Sequence, residues 1–359
     1  MPGGEERAVE DLAWLIRTEL GDEASVLTHD SARLTSRRAA AALLAGGLRP
    51  RTVADAVRAS NARVVHAHNV HPSFGWRALA AAREAGARVV LHMHNYRLVC
   101  AVGTCFTRGQ DCTRCHGRNT LPGLALNCRG SRAEAVVYGA ALSLWQRRLV
   151  ESVDAFVVPS SFALARLRDL GAPLGDRASV IPSVQRAFAE RSSAGDGGYA
   201  LAAGRLSPEK GFADAIAACA QAGVPLVVAG DGPQAAELHA LAGPDVRFTG
   251  HVSPGELAAL RRGAALAIVP SRYAEILPLA ALEAMAAGLP VVAARAGGLA
   301  EAVPAEGLYE PGDIVGLADR ARALFADSDA GERALAAARA LCAPEVVAAA
   351  LRDVYNPGH

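Results

Sequence analysis

The feature that most restricts this chain is a repeated alternation. Short apolar, β-branched runs occur at Ala24–Thr28, Arg63–His66, Arg88–His92, Ala155–Pro159 and Ser179–Ile181. They recur at Tyr199–Ala203, Pro225–Ala229, Val246–Thr249, Ala264–Val269 and Pro290–Ala293. Ala-rich spans with helical character lie between most of them: Trp76–Glu84, Ser161–Leu170, Phe212–Ala222 and Pro254–Arg262. Such alternation predicts parallel sheets covered by helices on both faces. At 359 residues the chain has room for two such sheets. The polar, Gly- and Ser-rich stretch Arg186–Gly198 is the natural divide. The expectation is two α/β halves enclosing a cleft, with ligands at the carboxyl ends of the strands.

Charge and pattern narrow the partners. The net charge is +1, which gives no basis for nucleic-acid binding. No apolar run reads as a bilayer span, and the N-terminus lacks a basic-then-apolar leader pattern. A cytoplasmic protein is expected, with peripheral contact at the inner face of a membrane as a further option. From Asn61 to Val150 there are twelve Arg against three acids, Glu84, Asp111 and Glu134. This face suits an anionic acceptor or lipid, or is a solvated surface. The whole chain holds one lysine, Lys210, and Arg takes that part everywhere else.

The stretch Pro270–Val292 is the expected centre of the chemistry. A helix is read from about Ile276 to Ala287, stopped by Gly288 and Pro290. Glu275 stands at its mouth and Glu283 inside it. Eight helical residues rise about 12 Å, too far for the acid and nucleophile of a retaining glycosidase, which sit about 5 Å apart. The spacing suits an extended ligand with hydroxyls at both ends and an anionic middle facing N–H groups near Ile276 and Leu277. A nucleotide sugar has that form. The bland alternative is a helix-start carboxylate and a solvated one.

Other segments agree. In Tyr199–Phe212, Ser207 is expected to cap a helix with Pro208 at its first position. Arg205 and Lys210 would flank that N-terminus, a pairing suited to a diphosphate. Val227–Pro233 ends a strand in a glycine turn at Gly230, where a ligand can approach the backbone. In the first half, His66 and His68 end one strand, and His92, His94 and Asn95 end the next. No acid joins them, so a polar lining for a sugar is preferred to a metal site.

Five of seven cysteines lie between Cys100 and Cys128. Cys112 and Cys115 have metal-knuckle spacing. A structural zinc on Cys100, Cys112, Cys115 and Cys128 is one reading, and reduced thiols packed locally is the other. Cys219 and Cys342 are isolated in helical surroundings and read as core.

The combination GRLSPEKG, GDGP, VRFTGHVS, VPS with Glu-x7-Glu and EAMAAGLPVVAARAGGLAE resembles the retaining family-4 glycosyltransferases of GT-B fold. The first half resembles them through VVHAHN, LHMHNYRLVC and VVPSSF, and looks like the subgroup whose His-Asn-Tyr-Arg stretch leads into a cysteine-containing insert. The resemblance implies two Rossmann-like domains facing a cleft. These would be 1–185, with the insert at about 100–130, then 186–343, with a C-terminal helix over 344–359 returning to the first domain. It implies hexose transfer with retention from a UDP- or GDP-type donor to a saccharide or lipid-linked acceptor, as in cell-envelope or polysaccharide biosynthesis. Arg205 and Lys210 would neutralise the diphosphate, with no divalent metal required. Glu283 would take the ribose hydroxyls, and Glu275 the hexose, with Ile276, Leu277 and Gly230 assisting. His94 would lie beside the donor sugar, and Gly3, Gly4 and Asn95 on the acceptor side. A departure is Ile181-Pro182-Ser183-Val184-Gln185-Arg186, where the family often has Ile-Pro-Asn-Gly-Val-Asp. A sugar-nucleotide epimerase, a non-catalytic partner subunit and a zinc-bearing nucleic-acid module are the competing readings. In the family a buried strand precedes the Gly-Gly turn. Here Met1-Pro2 runs straight into Gly3-Gly4 and a helix from about Glu6 to Leu20. A missing central first strand, and an upstream natural start, are therefore expected.

Overall fold

A computed structural model of the chain describes residues 4–30 and 34–356. It divides into two compact units. The first comprises residues up to Thr107, Cys112–Pro182 and the residues from Val347 onward; the second comprises Arg108–Asp111 and Ser183–Val346. Both are Rossmann-like.

In the first unit the sheet is built from β1 (Val64–His68) and β2 (Arg88–His92). The two-residue strands β3 (Phe106–Thr107) and β4 (Gln110–Asp111) lie in the cysteine-rich insert. The sheet resumes with β5 (Ala155–Val158) and β6 (Ala178–Val180). The four sheet strands are parallel in the order β1-β2-β5-β6. Among the described residues no strand pairs with the other edge of β1, and all five of its residues are half-buried. The expected strand at Ala24–Thr28 does not form. Those residues are irregular, and Val26 and Leu27 stand 47% and 46% exposed. An extended segment becomes a strand only by sharing a ladder, and this one has no ladder partner. The N-terminal helix spans Gly4–Leu15 and runs into a π-turn at Ile16–Leu20, closed by left-handed Gly21.

The second unit holds β7 (Ala200–Ala203), β8 (Leu226–Ala229), β9 (Val246–Gly250), β10 (Leu266–Val269), β11 (Val291–Ala294) and β12 (Leu308–Tyr309). They form one parallel sheet, β12-β11-β10-β7-β8-β9. Numbered within the unit, this is the 3-2-1-4-5-6 order of a doubly wound fold. Alternate residues feed opposite cores. Ala200, Ala202, Leu266 and Ile268 face one with Phe212, Ile216 and Leu317. Leu201, Ala267 and Val269 face the other with Leu282, Met285 and Ala338. Cys219 and Cys342 are buried in these cores, where burial pushes each thiol up to about 12.

Helix limits follow local chemistry. Phe212–Ala222 stops at left-handed Gly223, and Pro254–Arg262 starts with a capping box between Ser253 and Glu256. The stretch 330–355 corrects one expectation, being long and apolar enough to cross a membrane by length and composition. It breaks at Ala343 into Ala330–Cys342 and Pro344–Tyr355, and both pieces bury one face in protein.

Candidate functional site

In the second unit β7 and β10 are neighbours, and their following helices pack on opposite faces of the sheet. This is the point where the strand order reverses, and in open α/β sheets such points hold ligands. Arg205 and Lys210 follow β7, while Ser271 and Glu275 follow β10. Lys210 Nζ lies 2.7 Å from Glu275 Oε2. The Ser271 hydroxyl donates to Oε1 of the same carboxylate. Glu275 is only 5% exposed, and a carboxylate so buried is stable only with partners of this kind. The Lys210 ammonium also lies 5.4 Å from the centre of the Tyr273 ring. Arg205 is exposed and has no ion-pair partner among the described residues.

Three loops meet here backbone to backbone. A Cβ on Gly230 would lie 1.9 Å from the Gly204 carbonyl oxygen, and Gly230 has φ +147. Gly232 would similarly strike the Leu206 carbonyl, at 2.3 Å. Gly211, with φ +70, passes the Pro270 carbonyl, and Arg272 N donates to Glu209 O at 2.9 Å. Arg272 also forks onto Asp214 at 2.8 and 2.5 Å, tying the β10 loop to the helix after β7.

Two local expectations are corrected. The helix after β10 spans Leu279–Ala286 with Pro278 as its N-cap. Ile276 and Leu277 precede it, because a residue before proline is driven to extended backbone. Glu275 and Glu283 therefore do not share one helix, and the eight-residue rise between them does not apply. Ser207 does not cap a helix either. Its hydroxyl bonds Glu209 Oε1 at 2.7 Å, Pro208–Lys210 is a single 3-10 turn, and the helix proper starts at Phe212. Glu283 is in the helix as expected, ion-paired through Oε2 to Arg261 with both side chains largely buried. Sequence reasoning missed Arg261 and Ser271, because neither pairing has a sequence signature.

In the first unit the register pairs His68 with His92, and the imidazoles of His66, His68, His92 and His94 pack into one cluster of stacked and tilted rings. The sequence suggested pairs only. His92 and His94 lie 4.3 Å apart, ring centre to ring centre, and His68 Nδ1 is 2.7 Å from His94 Nε2. His66 Nδ1 is 2.7 Å from the Tyr355 hydroxyl. Burial, then repulsion from His94, pushes His66 down to about 3. Burial, then Arg97, brings His71 to about 4. His68 and His92 are lowered well below the usual range mainly by burial; His94 is lowered by burial against the opposing pull of Glu5. The rings are thus neutral near pH 7. Both nitrogens of His92 and Nε2 of His66 lack hydrogen-bond partners among the described residues. Ligand nitrogens of His66, His68 and His92 lie within 4.8 Å of one another, close enough to hold a metal ion.

Asn95 Nδ2 donates to Glu5 at 3.3 Å, and Asn69 Nδ2 donates to the other oxygen of Glu5 at 2.7 Å. Glu5 is a further residue the sequence did not single out. Gly4 opens the N-terminal helix, and Gly3 lies outside the described residues. Cys100, Cys112, Cys115 and Cys128 line one pocket, and Cys105 joins them there.

Comparison with known proteins places these features. Residues 3–183 match the model of the glycosyl transferase 4-like domain, and residues 184–340 match glycosyl transferases group 1. Glycogen synthase of Mycobacterium tuberculosis is 41% identical over 153 residues, 39% of this chain and 36% of that protein. The GDP-mannose-dependent alpha-(1-6)-phosphatidylinositol dimannoside mannosyltransferase of the same species is 42% identical over 110 residues, 29% of each chain. The matched stretch thus spans about a third of these relatives. Anabaena HepE, solved with UDP and glucose, superposes with TM-score 0.65 at 18% identity, covering 98% of this chain and 96% of that one. Sucrose-phosphate synthase from Thermosynechococcus elongatus gives TM-score 0.66 at 20% identity, covering 98% and 93%. These two likenesses show the fold. The chain belongs to the GT-B glycosyltransferase family, with a glycosyl transferase 4-like first half and a group 1 second half.

Proposed function

We propose that the chain moves a hexose from a UDP- or GDP-type nucleotide sugar to an acceptor hydroxyl with retention of configuration. One observation carries the reading: Arg205, Lys210 and buried Glu275 follow adjacent strands at the point where the second sheet's order reverses. Arg205, unpaired, is available to a phosphate. Lys210 has three N–H donors and spends one on Glu275, which leaves two for diphosphate oxygens. Ser271 and Lys210 fix the Glu275 carboxylate, whose remaining lone pairs accept sugar hydroxyls. Glu283, oriented by Arg261, accepts the ribose diol.

As the bond from the sugar's anomeric carbon to the phosphate oxygen breaks, charge grows on the diphosphate, where Arg205 and Lys210 stabilise it. The acceptor oxygen bonds the same face, and its proton passes to the departing phosphate oxygen. These side-chain cations supply the charge that a divalent ion supplies elsewhere. His94 and Asn95 serve the sugar and acceptor side. The Arg-rich stretch Asn61–Val150 supports an anionic or lipid-linked acceptor. So do relatives named for D-inositol 3-phosphate and phosphatidylinositol dimannoside. A cytoplasmic location, peripheral at the inner face of the membrane, belongs to the same reading.

The test is incubation with UDP- and GDP-hexoses and saccharide or inositol-phosphate acceptors, followed by NMR of the new anomeric centre. A product of the donor's own anomeric configuration supports the reading, and an inverted product rejects retention. Interconversion of the donor sugar without acceptor replaces transfer by epimerisation.

A further inference from the structure

We propose that the insert after β2 is a structural zinc site, with Cys100, Cys112, Cys115 and Cys128 as thiolate ligands and Cys105 beside them in the same pocket but outside the ligand set. The insert has little regular structure of its own. Its regular structure is two two-residue strands and the five-residue helix Leu121–Ala125. A loop of this length with so small an apolar core needs a cross-link or a metal. The five sulfurs line one pocket with Val102, Phe106 and Gly123.

Gly123 lets the helix Leu121–Ala125 sit against this pocket, since a Cβ there would lie 2.3 Å from the Ala101 Cβ and 3.6 Å from Cys115 Sγ. Cys112-Thr113-Arg114-Cys115 supplies the knuckle. Cys105, 1% exposed and on a left-handed backbone with φ +52, stands apart in sequence from the Cys112–Cys115 knuckle and is left outside the ligand set. A four-thiolate set selects zinc among common divalent ions. Among the described residues no three of these sulfurs lie within 4.8 Å of one another, so zinc binding here requires them to draw closer.

The site also anchors the His94–Arg97 stretch. Tyr96 N donates to Gly103 O and Cys100 N to Tyr96 O, each at 2.8 Å. The Tyr138 hydroxyl donates to Arg97 O at 2.6 Å. Zinc on the insert therefore steadies the backbone next to the imidazole cluster. None of this depends on glycosyl transfer.

The experiment is metal analysis and zinc K-edge absorption on the full untagged chain, purified under reducing conditions. About one zinc per chain, with four sulfur neighbours near about 2.3 Å, is expected. C105S is expected to keep the zinc and C115S to lose it. Less than about half an equivalent of zinc, bound iron instead, or paired disulfides by mass spectrometry overturns the proposal. So do nitrogen neighbours, which would move the ion to the histidines, zinc retained by C115S, and zinc lost from C105S. If C115S fails to fold, the absorption spectrum of the unaltered chain still decides.

Discussion

Lys210 and Glu275, 65 residues apart, form an ion pair at 2.7 Å in which the carboxylate is buried and the ammonium half-exposed. Lys210→Ala strands that carboxylate with Ser271 alone. The expected cost is about 2 kcal/mol, less than for a fully buried pair because Lys210 is 28% exposed. Turnover is expected to fall at least about a hundredfold through loss of diphosphate stabilisation. Lys210→Met with Glu275→Gln should recover the stability but not the turnover. Denaturant titration beside initial rates checks this, and recovery of both would reduce the pair to a structural role.

Glu283 and Glu275 should separate in binding experiments. Glu283→Gln is expected to weaken UDP or GDP and the full donor alike, by about tenfold, or about 1.4 kcal/mol. Glu275→Gln should weaken the full donor more than the bare nucleotide. Calorimetric titration of the four combinations gives the answer, and equal losses for both variants with both ligands would remove the ribose and hexose assignments.

The buried histidines of the first unit make stability pH-dependent. His66 and His71 are held to about 3 and about 4 in the folded chain, against 6.5 in the unfolded chain. Between about pH 4 and 6.5 the unfolded chain binds more protons, so stability falls as pH falls through that window and is fully present above it. At pH 5 each such histidine costs up to about 2 kcal/mol, and two or three approach a domain's total stability of about 5–15 kcal/mol. Urea midpoints at pH 5 and 7.5 should differ clearly, and His66→Asn should flatten the difference. A level profile from pH 7.5 to 5 would refute it.

Gly230→Ala should damage fold and binding together. Its Cβ would meet the Gly204 carbonyl oxygen at 1.9 Å, on a backbone with φ +147. The expected loss is about 2–3 kcal/mol, from strain and forced separation of the two loops. Nucleotide affinity should fall with it. Thermal melts with and without UDP or GDP measure both, and a variant with unchanged melting temperature would show that the loops yield.

The α/β alternation was legible because each strand is a short apolar run and each helix carries its own stops. The Ala-rich spans Phe212–Ala222 and Pro254–Arg262 match two helices to the residue, and the structure shows Gly223 and the Ser253 capping box setting two of their ends. Ala24–Thr28 has strand composition but no ladder partner, and ladder partners are not written in local sequence. Ile276 and Leu277 look helical by composition, but the following Pro278 sets their backbone. Lys210 drew attention by being alone of its kind, but its ion pair with Glu275 was not legible in the sequence. Ser271, Arg261, Glu5 and Cys105 gave no such signal, since each matters through a neighbour brought near by folding.

The segment from Pro270 to Pro278 has no regular structure, yet three separate ties hold it. Ser271 and Lys210 grip the Glu275 carboxylate, the Glu275 carbonyl accepts from Gly298 N at 2.8 Å, and Arg272 is fastened to Asp214 and Glu209. An incoming polyanion competes for only one of these, the ammonium. The loop therefore responds to ligand by trading one ionic partner for another while its course stays put. Association here should be fast and should involve little refolding, with a steep dependence on ionic strength.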